Sequence, residues 1–255
     1  HDTYPGYLGV PIAPCTKAEA TYIDDHLAAY GEPAGVQPPG SWVRWTDIDV
    51  DGDCRVSNSE AYSVTGDLWV NCGPLIISGD GVTNGILRVS DGNVVFDGDI
   101  DLRSNGIFEM NPSAGADYWA FFREGGDILK GAQSSITLNR TFVYLEDGLL
   151  DLVGGSGGLV WTAPSDETYP FEDLALWSEA PDPHELGGQS GNTLTGTFFT
   201  PYANPFILKG QSGQLQTDAQ FLTRKLVVTG FTEVLMKPDP ETSTLIPIRG
   251  VALIR

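Results

Sequence analysis

From Tyr62 to Met110 the chain alternates short apolar runs with breaks centred on glycine. The runs are Asp67–Asn71, Pro74–Ile77, Gly85–Val89, Asn93–Phe96, Asp99–Leu102 and Ile107–Met110. Between them stand Gly73, Ser78–Gly81, Asn84-Gly85, Asp91-Gly92, Asp97-Gly98 and Asn105-Gly106. Such runs are strands, and Asn-Gly or Asp-Gly pairs close them because those residues accept positive φ. A corner recurs every eight to twelve residues or so, roughly the interval of a parallel β-helix. No stretch supplies the roughly ten-residue helical pattern that a βαβ crossover needs. The pattern therefore predicts an all-β chain folded as a parallel β-helix (solenoid), with a β-sandwich as the alternative.

Upstream, residues 1–15 are rich in Pro and Gly and are expected to be extended. One helix follows. Thr16 caps it, Glu19 completes a capping box, and Gly31 and Pro33 stop it. Tyr22, Ile23, Leu27 and Tyr30 fall on one side, so this helix must lie over something apolar, and covering the open first coil is its expected role. Residues 32–41 form a Pro-rich linker, and an acidic segment runs from Asp47 to Glu60. Residues 1–60 are thus read as an extended segment, capping helix and acidic loop, and 61–255 as one solenoid domain. Within the latter, 163–171 and 180–191 are expected to be irregular excursions.

The formal net charge of −20 excludes nucleic acid as a partner, because phosphate binding needs clustered Lys and Arg. It equally disfavours an anionic membrane surface. No run of about 18 apolar residues exists, so any membrane attachment is expected through an N-terminal helix that this sequence does not include. The three cysteines are too few for a disulfide scaffold and lack CxxC spacing. Cys54 and Cys72 flank one strand segment, and their pairing is expected, which implies an extracellular protein.

Several segments are chemically suggestive. Asp49, Asp51 and Asp53 occupy positions 1, 3 and 5 of a twelve-residue calcium loop, with Ser57 at 9 and Glu60 at 12. The departure is Cys54 at position 6, where glycine normally makes the sharp turn. The loop is a candidate for structural Ca²⁺, weighed against a solvated acidic loop. Asp97, Asp99 and Asp101 alternate and would share a face of a regular strand, as the paired acids of a polysaccharide-cleaving β-helix do. Gly154–Gly158 formally satisfies G-x-S-x-G, but the next run, Leu159–Thr162, is a strand and not the helix a nucleophile elbow requires. Tyr118–Phe122 is a dense aromatic run; Tyr118, Trp119 and Trp177 are candidate sugar or partner contacts, although core packing explains such a run more simply. Thr193, Thr195 and Thr197 form a short Thr ladder that ordinary β-propensity explains.

A set of stretches, taken together, resembles a known family. They are Val64–Cys72, Asn93–Asp99, Leu174–Glu179, Leu186–Gln189, Gly196–Asn204, Ala219–Phe221 and Gly250–Arg255. In combination they resemble the extracellular C-terminal region of TadE/TadG-like proteins, which accompany Tad (Flp-type) pilus assembly systems. The resemblance spans residues 60–255 and includes no catalytic signature. It implies a surface protein anchored by a pilin-like hydrophobic N-terminal helix.

The expected function is therefore non-enzymatic: a cell-surface structural or adhesive protein of a Tad-type pilus system. Its expected partners are other surface or pilus proteins, copies of itself, or surface glycans. Two alternatives follow from the residues: a carbohydrate-binding adhesin module using Tyr118, Trp119 and Trp177, and a β-helix polysaccharide lyase or hydrolase using Asp97, Asp99 and Asp101.

Overall fold

Short strands that each bury one row of side chains cannot form a core alone; stacking identical turns supplies it. A computed structural model describes residues 42–113, 115–123, 125–153, 157–169, 171–189, 192–212, 215–230 and 234–243. One complete turn runs through Leu68–Val70, Leu75–Ser78 and Ile86–Ser90, and the next through Val94–Asp97, Ile100–Arg103 and Ile107–Met110. Each strand pairs in parallel with the strand three places further along the chain. Two eight-stranded sheets and one six-stranded sheet result, with a final two-stranded pair of Leu215–Thr217 and Val234–Met236. The chain is a three-sided parallel β-solenoid. All ladders are parallel, so the β-sandwich alternative is excluded.

Among the described residues the first turn consists of Val43–Arg44, Arg55–Val56 and Ala61–Thr65, and the acidic loop belongs to it. Between the first two of those strands lies a single four-residue helix, Trp45–Ile48, the only one among the described residues. The capping helix expected over residues 16–30 lies outside the described residues, as does Cys15.

Alternation appears in the burial itself. Ile86–Ser90 and Ile107–Met110 bury every second residue. Their inward rows join Leu68, Phe96, Leu102, Ile136 and Phe198 in one central core. The first sheet differs: Thr141–Leu145 and Leu174–Ser178 are buried on both faces.

Corners hold the turns in register. At the corner between the first and second sheets, Gly98 has φ +135°, which a side chain rarely tolerates. A Cβ on Gly126 would strike the carbonyl of Gly98, and one on Gly148 would strike that of Gly126. Carboxylates complete the ladder: Asp99 accepts the backbone N–H of Asp127 at 2.9 Å, and Asp127 accepts that of Leu149 at 2.7 Å. One corner earlier, Asp67 accepts from the backbone of Asn93, which accepts from that of Trp119, each step 26 residues.

One expectation about the chain order is overturned. Residues 180–191 are not an irregular excursion, because His184–Gln189 is a strand paired with Phe206–Ser212. His-Glu-Leu-Gly-Gly-Gln has no hydrophobic alternation, and its extended form is dictated by neighbouring turns.

Candidate functional site

The acidic loop is tied into the opening turn by its own hydrogen bonds. Asp49 accepts the N–H of Gly52 at 3.2 Å, that of Cys54 at 2.9 Å and the indole N–H of Trp45 at 3.2 Å. Glu60 accepts the N–H of Ser57 at 2.5 Å, while Asp51 and Asp53 are exposed. Cys54 takes φ +53°, the left-handed turn that position 6 of a calcium loop requires. It does so while bonded to Cys72, with Cα atoms 6.0 Å apart. The sequence-predicted disulfide is present, and it is compatible with the turn. Among the described residues, no three His, Cys, Asp or Glu side chains converge as a metal-holding group.

The three alternating aspartates do not form a cluster. The corner at Gly98 breaks the strand between them, so Asp97 ends the first-sheet strand and Asp101 lies within the second. Asp97 is held by Arg123 at 2.6 Å and by the indole N–H of Trp69 at 2.6 Å. Asp99 accepts from Asp127 as described, and Asp101 pairs with Arg103 at 2.5 Å. A common face for the three is a reading that assumed an unbroken strand, and the corner removes it.

The aromatic candidates also have structural partners. Trp119 is 1% exposed and lies 4.2 Å from Phe121, ring to ring; Trp177 is 3% exposed and meets Phe199 edge-on at 5.4 Å. Tyr118 is half-buried against the central core. Trp119 and Trp177 therefore offer no open face for a sugar in this structure. The Thr ladder divides likewise: Thr193 is exposed, whereas Thr197 is buried and donates to Gln220. Gly154, Gly155 and Ser156 lie outside the described residues, and the segment after them is the strand Leu159–Trp161.

Sequence reading missed a buried polar pair. His184 and Ser178 are both 0% exposed, and their Nε2 and Oγ atoms are 2.9 Å apart. The N–H of Leu150 donates to His184 Nδ1, so the ring proton sits on Nε2 and is donated to Ser178. A histidine donating to serine cannot take the serine's proton, so the pair is a structural clasp. Burial pushes the imidazole down from 6.5 to about 4, against a smaller opposing influence of Asp182. The ladder position is what makes it polar: Leu145 is followed by Ser178 in the same inward row. Lys130 is a second surprise. Register sets it beside Leu102, and burial lowers its pKa.

Two other places stand out, a raised carboxyl and a groove. Asp173 is pushed up to about 6, by burial first and then by the charges of Glu172 and Asp239. A groove of about 330 Å³ at the N-terminal end is lined by Val43, Ile48 and residues 61–65, none of them titratable near neutrality. Neither place brings an acid and a base together.

Fold and site define a class: a disulfide-tied, three-sided parallel β-solenoid whose charged groups bind turn to turn. Comparison with family models, curated proteins and solved structures finds no match to this chain.

Proposed function

We propose that this chain is a non-enzymatic structural or adhesive protein of the cell surface, working with a Tad-type pilus system. One observation carries the structural part. Its acids act along the stack: Asp67, Asp99 and Asp127 accept backbone N–H groups of the following turn, and Asp97–Arg123, Glu109–Arg88 and Glu185–Lys209 pair neighbouring turns. Charge used in this way ties each turn to the next and stiffens a rod. The loop around Asp166 and Glu167, pinned by hydrogen bonds from Ser165 and Asp166 to Asp117, offers an exposed acidic contact. The pilus association and the extracellular location rest on the sequence resemblance and on the disulfide.

The test is protease shaving of intact producing cells, with and without their pilus assembly genes. Surface cleavage that depends on those genes is expected. Protein confined to the cytosol, or cleavage of an acidic polysaccharide that Asp99→Asn abolishes, overturns the reading.

A structural calcium ion at Asp49, Asp51, Asp53, Ser57 and Glu60 is a further part of the proposal, favoured by the left-handed Cys54. Its expected signature is a higher Tm in millimolar Ca²⁺ than in EDTA. Equal values remove it.

A further inference from the structure

Every sheet of the solenoid ends twice, and the two ends differ. Among the described residues, the edge strands at the N-terminal end are Val43–Arg44, Arg55–Val56 and Ala61–Thr65. Those at the C-terminal end are Gln220–Thr223, Leu226–Gly230 and Val234–Met236, the last continuing the third sheet, where the Asp218 N–H donates to the Leu194 carbonyl. Each of these six strands is paired along one edge, the other being free among the described residues. A free ladder edge is a template for a further strand, and solenoids ordinarily shield it with a polar terminal turn.

The last turn is not polar. In the inward row Leu152, Leu186, Leu208 and Val228, the first three are at most 2% exposed, whereas Val228 is 49% exposed. On the third sheet Thr217 is 1% exposed and its ladder partner Met236 is 40% exposed. Half-buried Leu226 lies over Phe206, and half-buried Phe221 over Phe198. The inward rows therefore reach solvent through the end of the stack. At the opposite end, the groove lined by Val43, Ile48 and residues 61–65 borders the edge strand of the third sheet, the same sheet that ends in Met236.

Charge is complementary at a matching corner. Between the first and second sheets, the opening turn carries Trp45–Cys54, with Asp47, Asp49, Asp51 and Asp53 and no Lys or Arg. In the last turn that corner is Arg224-Lys225, both exposed. In sequence no other corner between these two sheets holds a Lys or Arg. Over residues 42–65, five acids stand against two arginines; over 220–237, three Lys and Arg stand against Glu233, with Asp239 and Glu241 following.

We propose that the C-terminal edge of the solenoid binds the N-terminal edge of a second copy of this chain, stacked head to tail. Each sheet then continues at the ordinary strand spacing of about 4.8 Å. Gln220–Thr223 meets Val43–Arg44, Leu226–Gly230 meets Arg55–Val56, and Val234–Met236 meets Ala61–Thr65. Arg224 and Lys225 face the acidic loop, and Met236 enters the groove, which an unbranched thioether is well suited to fill. A contact between unlike ends leaves each pair with two free ends, so it propagates into a filament instead of closing as a dimer. Stacking of this kind does not depend on a cell-surface location, and purified protein shows it.

The test is sedimentation velocity of the full chain over a concentration series in EDTA, so that no cation occupies the acidic loop. Wild type is expected to show a mass that rises with concentration beyond the dimer. Asp51→Lys with Asp53→Lys reverses the charge of the N-terminal turn, and Arg224→Glu with Lys225→Glu reverses that of the last turn; all four positions are exposed. Each double variant alone then presents like-charged ends and is expected to associate at least about tenfold more weakly than wild type. An equimolar mixture of the two, each with its far-ultraviolet β signature intact, is expected to recover the large species. Wild type that stays monomeric up to its solubility limit, as it would if residues 1–41 or 244–255 of the same chain covered the ends, overturns the proposal. Association that stops at a dimer, variants that assemble as well as wild type, or a mixture no larger than its components overturns it equally.

Discussion

His184 illustrates how one residue sets a pH limit. Its imidazole accepts the Leu150 N–H and donates to Ser178, an arrangement that only the neutral ring satisfies. The folded-state pKa of about 4 lies below the ordinary 6.5. Protonation is therefore harder in the folded chain, and stability is fully present above 6.5, declines as pH falls towards 4, and levels off below. A shift of this size corresponds to something on the order of 3 kcal/mol. We expect the fall in Tm between pH 6.5 and 4 to be visibly smaller in His184→Gln, whose amide retains a neutral acceptor. An identical pH slope in the two proteins would show that the clasp contributes nothing. Asp173 works in the opposite sense: raised to about 6, it favours folding as it gains its proton, so it cannot produce the acid loss.

At the scale of the element, the corners matter more than the strands. Glycines at 126 and 148 let successive backbones approach where a Cβ would collide with the preceding carbonyl. Gly148→Ala is expected to lower stability by about 2 kcal/mol or more, read as a drop in the denaturation midpoint at unchanged m-value. Gly115→Ala is the control, since nothing lies within 4 Å of its Cβ position. Equal midpoints for the two variants would discount the corner ladder. The Cys54–Cys72 disulfide fastens the loop that opens the stack, across a separation of 18 residues. Closing a loop of that size is worth about 3 kcal/mol by the chain-entropy account. Replacing both cysteines by serine should therefore cost roughly that much in a chemical denaturation curve, and a midpoint equal to wild type would show the turn to be self-sufficient.

For the whole molecule, charge is the governing term. Thirty-four acids oppose fourteen Lys and Arg. Among the described residues, axial ion pairs such as Asp97–Arg123 and Glu109–Arg88 offset part of that surplus. Salt weakens both repulsion and pairing, with a Debye length of about 10 Å at 0.1 M. Because the surplus is negative over the entire chain, repulsion should win, and Tm should rise as sodium chloride is added. A falling Tm would mean that the ion-pair ladders outweigh the net charge.

The periodic apolar runs and the Asp-Gly and Asn-Gly corners were enough to indicate a coiled all-β chain and to place most strands, because a turn of solenoid is a local unit whose pattern survives in sequence. The Cys54–Cys72 bond was legible for the same reason: its partners flank one strand. What sequence left undecided depended on stacking between turns some 22 to 34 residues apart. Whether Asp97, Asp99 and Asp101 share a face turned on a corner at Gly98. His184–Gln189 became a strand because Phe206–Ser212 runs beside it. Trp119 and Trp177 became covered rings because the first sheet carries an aromatic row outward as well as inward. Periodicity identifies the repeating unit; only the superposition of turns decides which side chains meet, since residues that touch across a ladder have no proximity in the chain.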